Sequence, residues 1–552
     1  MSREPFVLDT WHNSGAAPYA SLNDTEYKTL IPAVFLTEGI DQTRGWAYTL
    51  LIENIIMNQS SAAPFKSFLF QGHILDEKGN KMSKSKGNVI DAYTLLAENS
   101  VDLVRFYFVW KASPIESLNF SLREMVGRPY QIMSTLYYLH IFFKQNSTVD
   151  KFELERNDIR WVLENKLLGL TEIWILSKFQ QLISDVTLGL ERCKFHEAAK
   201  AIEEFIINHI SQMYIPLIRN DIWDDSLETL NRRLTIYSVL CSVLKQLNIL
   251  LHPISPFITE YLYLTCVGKK KSIMLEYWPK HDSFFVNIEI ESTFNKLKDI
   301  ISVANAARMK GQVKRRWPLR QAFICSSDSV NVNEQSISEI LKTQLNVERF
   351  TIVKINDKTN IEKILSLLLN NMPITFKVSL VTKNLIPKVK AKINNLISSF
   401  EKVDKLELLK TLQSLGRYGL SYEGGYLELS PTDLEFSYDA SEGYALAEKN
   451  NVIVIIATHR DKALIAKGLL RDLARNLQQL RKERGYNPTD ILSTAFIANL
   501  EDEEIAILSS FRSELARLVR VNSIILAKES ENENRSYKVI DFEGRKLIIS
   551  VE

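Results

Sequence analysis

Apolar residues change their spacing twice along this chain. Up to about residue 120, short apolar runs alternate with turns. "AVFLTEGID" and "FKSFLFQGHIL" read as strands that run into loops, and "RGWAYTLLIENIIMNQ" between them has helical spacing. Asp91 is placed to cap a helix running through "AYTLLAENSVDLVRFYFVW". This is α/β texture. From about 121 to 313 the spacing becomes that of long helices. Leu163, Leu167, Leu170 and Trp174 recur at steps of four, three and four. Tyr237, Leu240, Leu244, Leu247 and Leu251 recur at three, four, three and four. Both predict core-facing stripes of a helix bundle. "HPISPF" breaks the second helix at Pro253, and a new one is expected near Pro256.

Beyond Trp317 the texture mixes again. "ITFKVSLV", "YLELS" and "NVIVIIAT" read as strands. "DKALIAKGLLRDLARNLQQLRKERG" reads as a helix with Leu470, Leu473, Leu477 and Leu480 on one face and Gly485 as its stop. The expected fold class is multidomain α/β plus all-α, in three regions: 1–120, 121–313 and 314–552.

Composition narrows this picture without redirecting it. At 552 residues, with 45% hydrophobic and 24% charged residues, the chain is an ordinary globular one of several domains. Lys+Arg 68 against Asp+Glu 66 leaves a net charge of +2, so any nucleic-acid partner must be met by local patches. Cys193, Cys241, Cys266 and Cys325 lie far apart and form no CxxC, which excludes a zinc ribbon and argues against a disulfide framework. Arg3, Glu4 and Asp9 stand where a signal peptide needs an apolar run, and the expectation is a cytoplasmic protein with no membrane partner.

One short stretch changes the picture. "NKMSKSKGNVID" alternates lysines and serines and closes on a glycine. Ammonium groups on a glycine-terminated loop suit a polyphosphate, whose charge shifts as pyrophosphate leaves. Ser83 and Ser85 add hydroxyl donors, and Gly87 allows close backbone approach. By itself such a loop is more often a solvated surface turn.

The context removes that ambiguity. "KMSKS", preceded by "GHILDEKGN" and followed by "KGNVID", resembles the nucleotide loop of class I aminoacyl-tRNA synthetases, and the chain resembles an isoleucyl-tRNA synthetase. "LDTWHNSGAAPY" resembles that family's Trp-x-x-Ser-Gly segment, and "EGIDQTRGW" its adenylate-binding segment. "NAARMKGQVKRRWPLR" resembles the junction after the helical domain, and "GLLRDLARNLQQLRKERGYNPTD" a late helix. Residues 331–450 match only loosely. "DQTRGW" favours the isoleucyl form, with a valyl-tRNA synthetase fragment as the runner-up.

The resemblance implies a partial Rossmann-like class I catalytic domain with the KMSKS loop, a helical anticodon-binding domain and a C-terminal α/β region. It implies ATP with Mg2+ as substrate, isoleucine and tRNA-Ile as partners, and isoleucine–tRNA ligase activity. Lys81 and Lys84 become the catalytic residues, and Lys81, Met82, Ser83, Lys84 and Ser85 the ATP-binding ones. Glu38, Gly39, Asp41 and Gln42 become adenylate contacts, while Trp11 and Trp46 line the pocket for a branched side chain. The family often has "WFDSG" where this chain has "WHNSG"; His12 and Asn13 remove a carboxylate and any role it had. The run "KGQVKRRWPLR" offers Lys314, Arg315, Arg316, Trp317 and Arg320 for phosphate contact and base stacking on tRNA, with a charged helix end around a buried Trp as the equal alternative. Arg481, Lys482 and Arg484 suit a helix C-terminus instead.

The family's second nucleotide motif, His-x-Gly-His, contains none of this chain's eight histidines. The family's editing domain is inserted upstream of the Trp-x-x-Ser-Gly segment, where this sequence starts. The reading expected is therefore the C-terminal piece of a split or truncated enzyme, inactive alone, with a separate N-terminal chain carrying the His-x-Gly-His motif and the editing domain. A non-catalytic tRNA-binding relative and a broken reading frame are the alternatives.

Overall fold

A computed structural model describes residues 5–6, 9–58, 62–224, 226–327, 335–487, 490–529, 537–542 and 544–552. Leu8 of the Trp-x-x-Ser-Gly segment and Pro488–Thr489 of the late helix segment lie outside the described residues. The chain divides into two compact units, 1–287 and 288–552.

The first unit opens with three short helices, Thr10–Gly15, Ala17–Ser21 and Asp24–Leu30. Two parallel strands follow, Leu36–Gly39 and Phe68–Gln71, joined through the helix Trp46–Asn58, with Gly39 opposite Gln71. A second parallel pair, Ile74–Leu75 with Leu118–Asn119, continues beyond Gln71. Asp91 caps the next helix as the sequence predicts, its carboxylate accepting from Thr94 N at 2.9 Å. The single helix expected from there to Trp110 is instead two, Ala92–Glu98 and Val101–Lys111. The physical reason lies in two polar residues: Asn99 folds its side chain back onto the Leu95 carbonyl, and extended Ser100 starts a new helix. The break turns Leu103, Val104 and Tyr107 into a small core with Leu118, Phe120 and Met125.

The rest of this unit is helical. Leu230–Leu251 buries the predicted stripe at Tyr237, Leu240, Leu244, Leu247 and Leu251. It is long and apolar enough to cross a membrane by composition, yet 78% of its apolar window is buried among the other helices. The other expected stripe spans a break: Leu163 ends the helix Ile159–Glu164, and Leu170 begins Leu170–Glu191. Lys166, at φ 54°, ends the first of these helices, so periodicity alone overestimated its length. Pro256–Leu262 starts where predicted. Asp102, buried, caps it from the helix Val101–Lys111 by accepting from Phe257 N at 3.3 Å and Ile258 N at 2.5 Å. Arg105 donates to the Pro253 and Ile254 carbonyls of the same turn.

The second unit begins with the helix Ile288–Lys310, which packs on the strands Tyr444–Lys449 and Val452–Ala457. These belong to a four-stranded sheet completed by Leu319–Ser326 and Val347–Lys354. Val452–Ala457 is buried along nearly its whole length, as its unbroken apolar run requires. An antiparallel pair, Ile374–Leu380 with Leu434–Ala440, and a hairpin, Tyr418–Tyr422 with Gly425–Leu429, share another core. The helix Lys462–Glu483 buries Leu470, Leu473, Leu477 and Leu480, as expected, against a last four-stranded sheet. Gly485 follows it at φ 80°.

Candidate nucleotide and aminoacyl site

The lysine loop is built on one half-buried acid. Asp76 ends the strand Ile74–Leu75 and accepts from Lys78 N at 3.0 Å, Asn80 N at 2.7 Å and Asn88 Nδ2 at 2.9 Å. These hydrogen bonds, Asn88's first, hold its carboxyl below the usual carboxylate range. Asn88 closes the loop from the far side, its Oδ1 accepting from Ser83 N at 2.9 Å. Gly79 and Gly87, at φ 80° and 67°, make the two turns that a side chain would strain. Met82 packs against the core around Tyr107 and Phe120. The methionine is thus the apolar anchor of the loop, and the lysines are what it presents.

Lys81, Lys84 and Lys86 are exposed, and none meets a carboxylate within ion-pair distance among the described residues. Lys84–Lys86 forms a tight 3-10 turn, with the Ser83 and Ser85 hydroxyls 3.2 Å apart. Uncompensated ammonium groups on a tethered loop fit an incoming polyanion. Sequence reasoning named the lysines and serines but missed Asp76 and Asn88. The Asp-x-x-Gly-Asn spelling of a turn was the available signal.

The second cluster gathers at the carboxyl end of the strand Leu36–Gly39. Glu38 is exposed there, two residues before the 3-10 turn Ile40–Thr43 that carries Asp41 and Gln42. A side chain at Gly39 would come within 2.7 Å of Asp41 Oδ1, so the Asp41 carboxylate would have to turn aside to admit one. Gln42 Oε1 accepts from Trp46 N at 3.4 Å, and Gln42 Nε2 donates to Asp41 Oδ2 at 3.3 Å. Trp46 Nε1 donates to the Ser14 carbonyl at 3.0 Å, which ties the helix Thr10–Gly15 to the start of Trp46–Asn58. Trp46 stands edge-on to Phe68 with ring centres 6.0 Å apart. Trp11, 39% exposed, lies against Gly45. Trp11, Gln42 and Trp46 are therefore neighbours around Gly45. Asn13 stands where the family often has an acid, and beside it His12 turns its Nδ1 to Glu53 Oε1 at 3.1 Å. Both clusters sit at carboxyl ends of parallel strands, where open α/β sheets hold ligands.

The basic run of the second unit looks different from its sequence. Trp317 is only 8% exposed. Arg460 covers its ring at 3.8 Å and Lys314 lies 4.6 Å from its centre, while Nε1 donates to Asp472 Oδ2 at 3.1 Å. The expected base-stacking role of Trp317 is corrected: its ring is a core element with both a cation and a carboxylate attached. Arg316 pairs with Asp472, and Arg320 with Asp461 and, at 3.1 Å, Glu348. Lys314 and Arg315 remain exposed. Arg481, read as a helix-end charge, is buried and donates to four carbonyls, those of Asn487, Asp490, Val519 and Arg520.

Comparison with known proteins gives this geometry a context. Residues 1–121 match the family model "tRNA synthetases class I (I, L, M and V)", and residues 172–323 match "Anticodon-binding domain of tRNA ligase". An isoleucine–tRNA ligase of Thermoplasma acidophilum is 28% identical over 533 residues, covering 96% of this chain and 48% of that protein. One from Clostridium novyi is 28% identical over 568 residues, covering 100% and 51%. The chain spans about half the length of the curated relatives it matches. Among solved structures, a LeuRS of Agrobacterium radiobacter in a ternary complex with tRNA and LeuAMS aligns with a TM-score of 0.43 and 20% identity, over 52% of this chain and 34% of that one.

Proposed function

For this chain, a class I isoleucyl-tRNA-synthetase-like protein, we propose that residues 1–120 carry part of an isoleucine-activating site and that 121–313 and 314–552 serve tRNA binding. The observation that carries this is the lysine loop: fixed by Asp76, Asn88 and Met82, it holds Lys81, Lys84 and Lys86 at the strand ends, exposed and without a carboxylate partner among the described residues. In the reaction, a carboxylate oxygen of isoleucine attacks the α-phosphorus of MgATP. The bond from that phosphorus to the bridging oxygen breaks, and pyrophosphate leaves. Lys81 and Lys84 stabilise the charge that grows on the departing pyrophosphate, with Ser83 and Ser85 as hydroxyl donors. Met82 takes no part in the chemistry and holds the loop to the core. Glu38, Asp41 and Gln42 meet the polar groups of the adenylate, and Trp11 and Trp46 wall off its aliphatic side chain. The terminal ribose hydroxyl of tRNA-Ile then attacks the acyl carbon and AMP leaves.

The pyrophosphate leaves between two sets of contacts, and this sequence holds no His-x-Gly-His motif for the second. We place that set on a separate polypeptide segment in a cytoplasmic assembly. The test is isoleucine-dependent pyrophosphate exchange by the purified chain, with and without a separately made His-x-Gly-His fragment of the family. Exchange that appears only on mixing is the expected result. A second reading, a non-catalytic tRNA-binding relative, is favoured by Asn13, which stands where the family often has an acid. Silence with and without the fragment would select it, and exchange with valine alone would select the valyl form.

A further inference from the structure

The end of the helix Ile288–Lys310 borders a cavity of about 320 Å³ that the proposed reaction does not use. Polar side chains reach it from separate elements: Lys310 and Gln312 from the helix end, Asp439 from the strand Leu434–Ala440, Tyr444 from the next strand, and Thr458 from the residue after Val452–Ala457. The backbone fixes these walls. A side chain at Gly311 would come within 2.8 Å of Thr458 Cγ2 and 2.9 Å of Ala445 Cβ, so it would push the helix end away from the strands. Gln312 then takes the left-handed conformation, at φ 53°, and its N–H donates to the Met309 carbonyl at 3.1 Å. On the opposite rim Thr458 N donates to the Gly443 carbonyl at 2.9 Å, and Tyr444 N to the Ser441 carbonyl at 3.0 Å.

The polar groups around the cavity do not satisfy one another. The side chains of Lys310, Gln312, Tyr444 and Thr458 make no hydrogen bond or ion pair with the described residues. Asp439 accepts only from the N–H of its neighbour Ala440, at 2.8 Å. A cation suits the negative end of a helix, which accounts for Lys310; a carboxylate at the same cavity is not explained that way. The two opposite charges share one space and yet form no ion pair. A simple anion would satisfy Lys310 and be repelled by Asp439, and a phosphate ester more strongly still. A metal ion would gain one carboxylate and meet an ammonium group. A ligand that carries both charges matches both. The volume lies at the lower end for small-molecule sites, which limits that ligand to the size of an amino acid.

We propose that this cavity binds a small α-amino acid as its zwitterion, with the carboxylate held by Lys310 and the ammonium group by Asp439. Gln312, Tyr444 and Thr458 offer an amide and two hydroxyls to the hydrogen-bonding positions that remain. The buried Ala445 and Leu446 give an apolar seat that suits a side chain as small as a methyl group. Every one of these residues belongs to the second unit, whereas Trp11 and Trp46 of the proposed isoleucine pocket belong to the first.

The experiment titrates L-alanine onto the full chain and follows binding by saturation-transfer difference NMR, which reads weak ligands directly. Saturable binding is expected. N-acetyl-L-alanine lacks the ammonium group and L-alanine methyl ester lacks the carboxylate. Each should bind about tenfold more weakly than alanine, the loss of one charge-assisted contact. Lys310→Met and Asp439→Asn should each weaken alanine by a similar factor and leave thermal unfolding unchanged, since both side chains are exposed. Asp439→Asn should not weaken N-acetyl-L-alanine further. Absence of saturable binding overturns the proposal, as does wild-type affinity in both variants. N-acetyl-L-alanine binding as tightly as alanine would reduce the cavity to a plain anion site and overturn it too. So would loss of alanine binding in Trp46→Ala with wild-type affinity in Lys310→Met, which would put alanine in the first unit. The measurement needs neither ATP nor tRNA, so its result is independent of the ligase reading.

Discussion

Replacing Asp472 by Asn tests the charge balance of the second unit most directly. The residue is buried, and its two oxygens are divided between Arg316 and the Trp317 indole. Asparagine keeps an acceptor for the indole and removes only the charge. Breaking a buried ion pair from one side costs about 3–5 kcal/mol, because the other charge is left uncompensated. The Arg316 side chain retains 30% exposure, so water recovers part of this, and a loss of about 2–3 kcal/mol is expected. The surrounding cations add to the cost, since Lys314 and Arg316 both lose the carboxylate they share. Hydrogen exchange on peptides spanning 313–320 and 468–476 reads this locally, where whole-chain unfolding of a two-unit protein does not give one transition. Protection there should fall roughly 30-fold or more, the equivalent of about 2 kcal/mol. Raising the salt should restore part of it by screening the exposed cations. Protection within threefold of wild type at low salt would show that Asp472 is not the neutralising group.

Three further outcomes follow from the first unit. Burial pushes the Glu276 carboxyl up, but hydrogen bonds from Tyr263 at 2.5 Å, Lys245 at 2.9 Å and Lys270 at 3.1 Å outweigh it and bring it from 4.5 down to about 2. Its folded value is the lower one, so it contributes about 3 kcal/mol in full above pH 4.5, lost as pH falls towards 2; parallel acid unfolding of wild type and Glu276→Gln would refute this linkage. Lys84→Ala should leave stability untouched, since Lys84 meets no carboxylate among the described residues, and should raise the barrier to adenylate formation in the reconstituted enzyme by about 3 kcal/mol. An equal loss in isoleucine binding would make the loop a mere ATP grip. Trp46→Ala should raise KM for isoleucine about tenfold and blunt discrimination against valine, whereas Trp46→Phe, which loses only the bond to Ser14, should keep discrimination. Unchanged amino-acid kinetics with lowered stability in both would make Trp46 a core residue.

Much of this protein is written locally. The stripe from Tyr237 to Leu251, the Asp91 cap and the Gly485 stop each depend on residues within a few positions, and the structure has them where periodicity predicts. The lysine loop was legible for the same reason, because its charges, hydroxyls and closing glycine are contiguous. Where local patterns misled, a polar side chain folded back onto its own helix: Asn99 onto the Leu95 carbonyl and Asn165 onto the Trp161 carbonyl.

What only the tertiary structure decided is where each charge finds its counterpart. Asp102 caps a helix that starts more than 150 positions later, Trp317 meets Asp472 across a similar separation, and Arg308 satisfies carbonyls on two different elements. Apolar burial follows a repeat that can be read in one window, since any apolar neighbour serves. A buried charge or indole needs one specific partner at hydrogen-bond distance, and nothing in its own neighbourhood names that partner. The run Lys314–Arg320 therefore declared its charge in the sequence. Which of its residues hold the fold, and which face outward with Arg471 and Arg475, was settled only when the helix Lys462–Glu483 came to lie beside it.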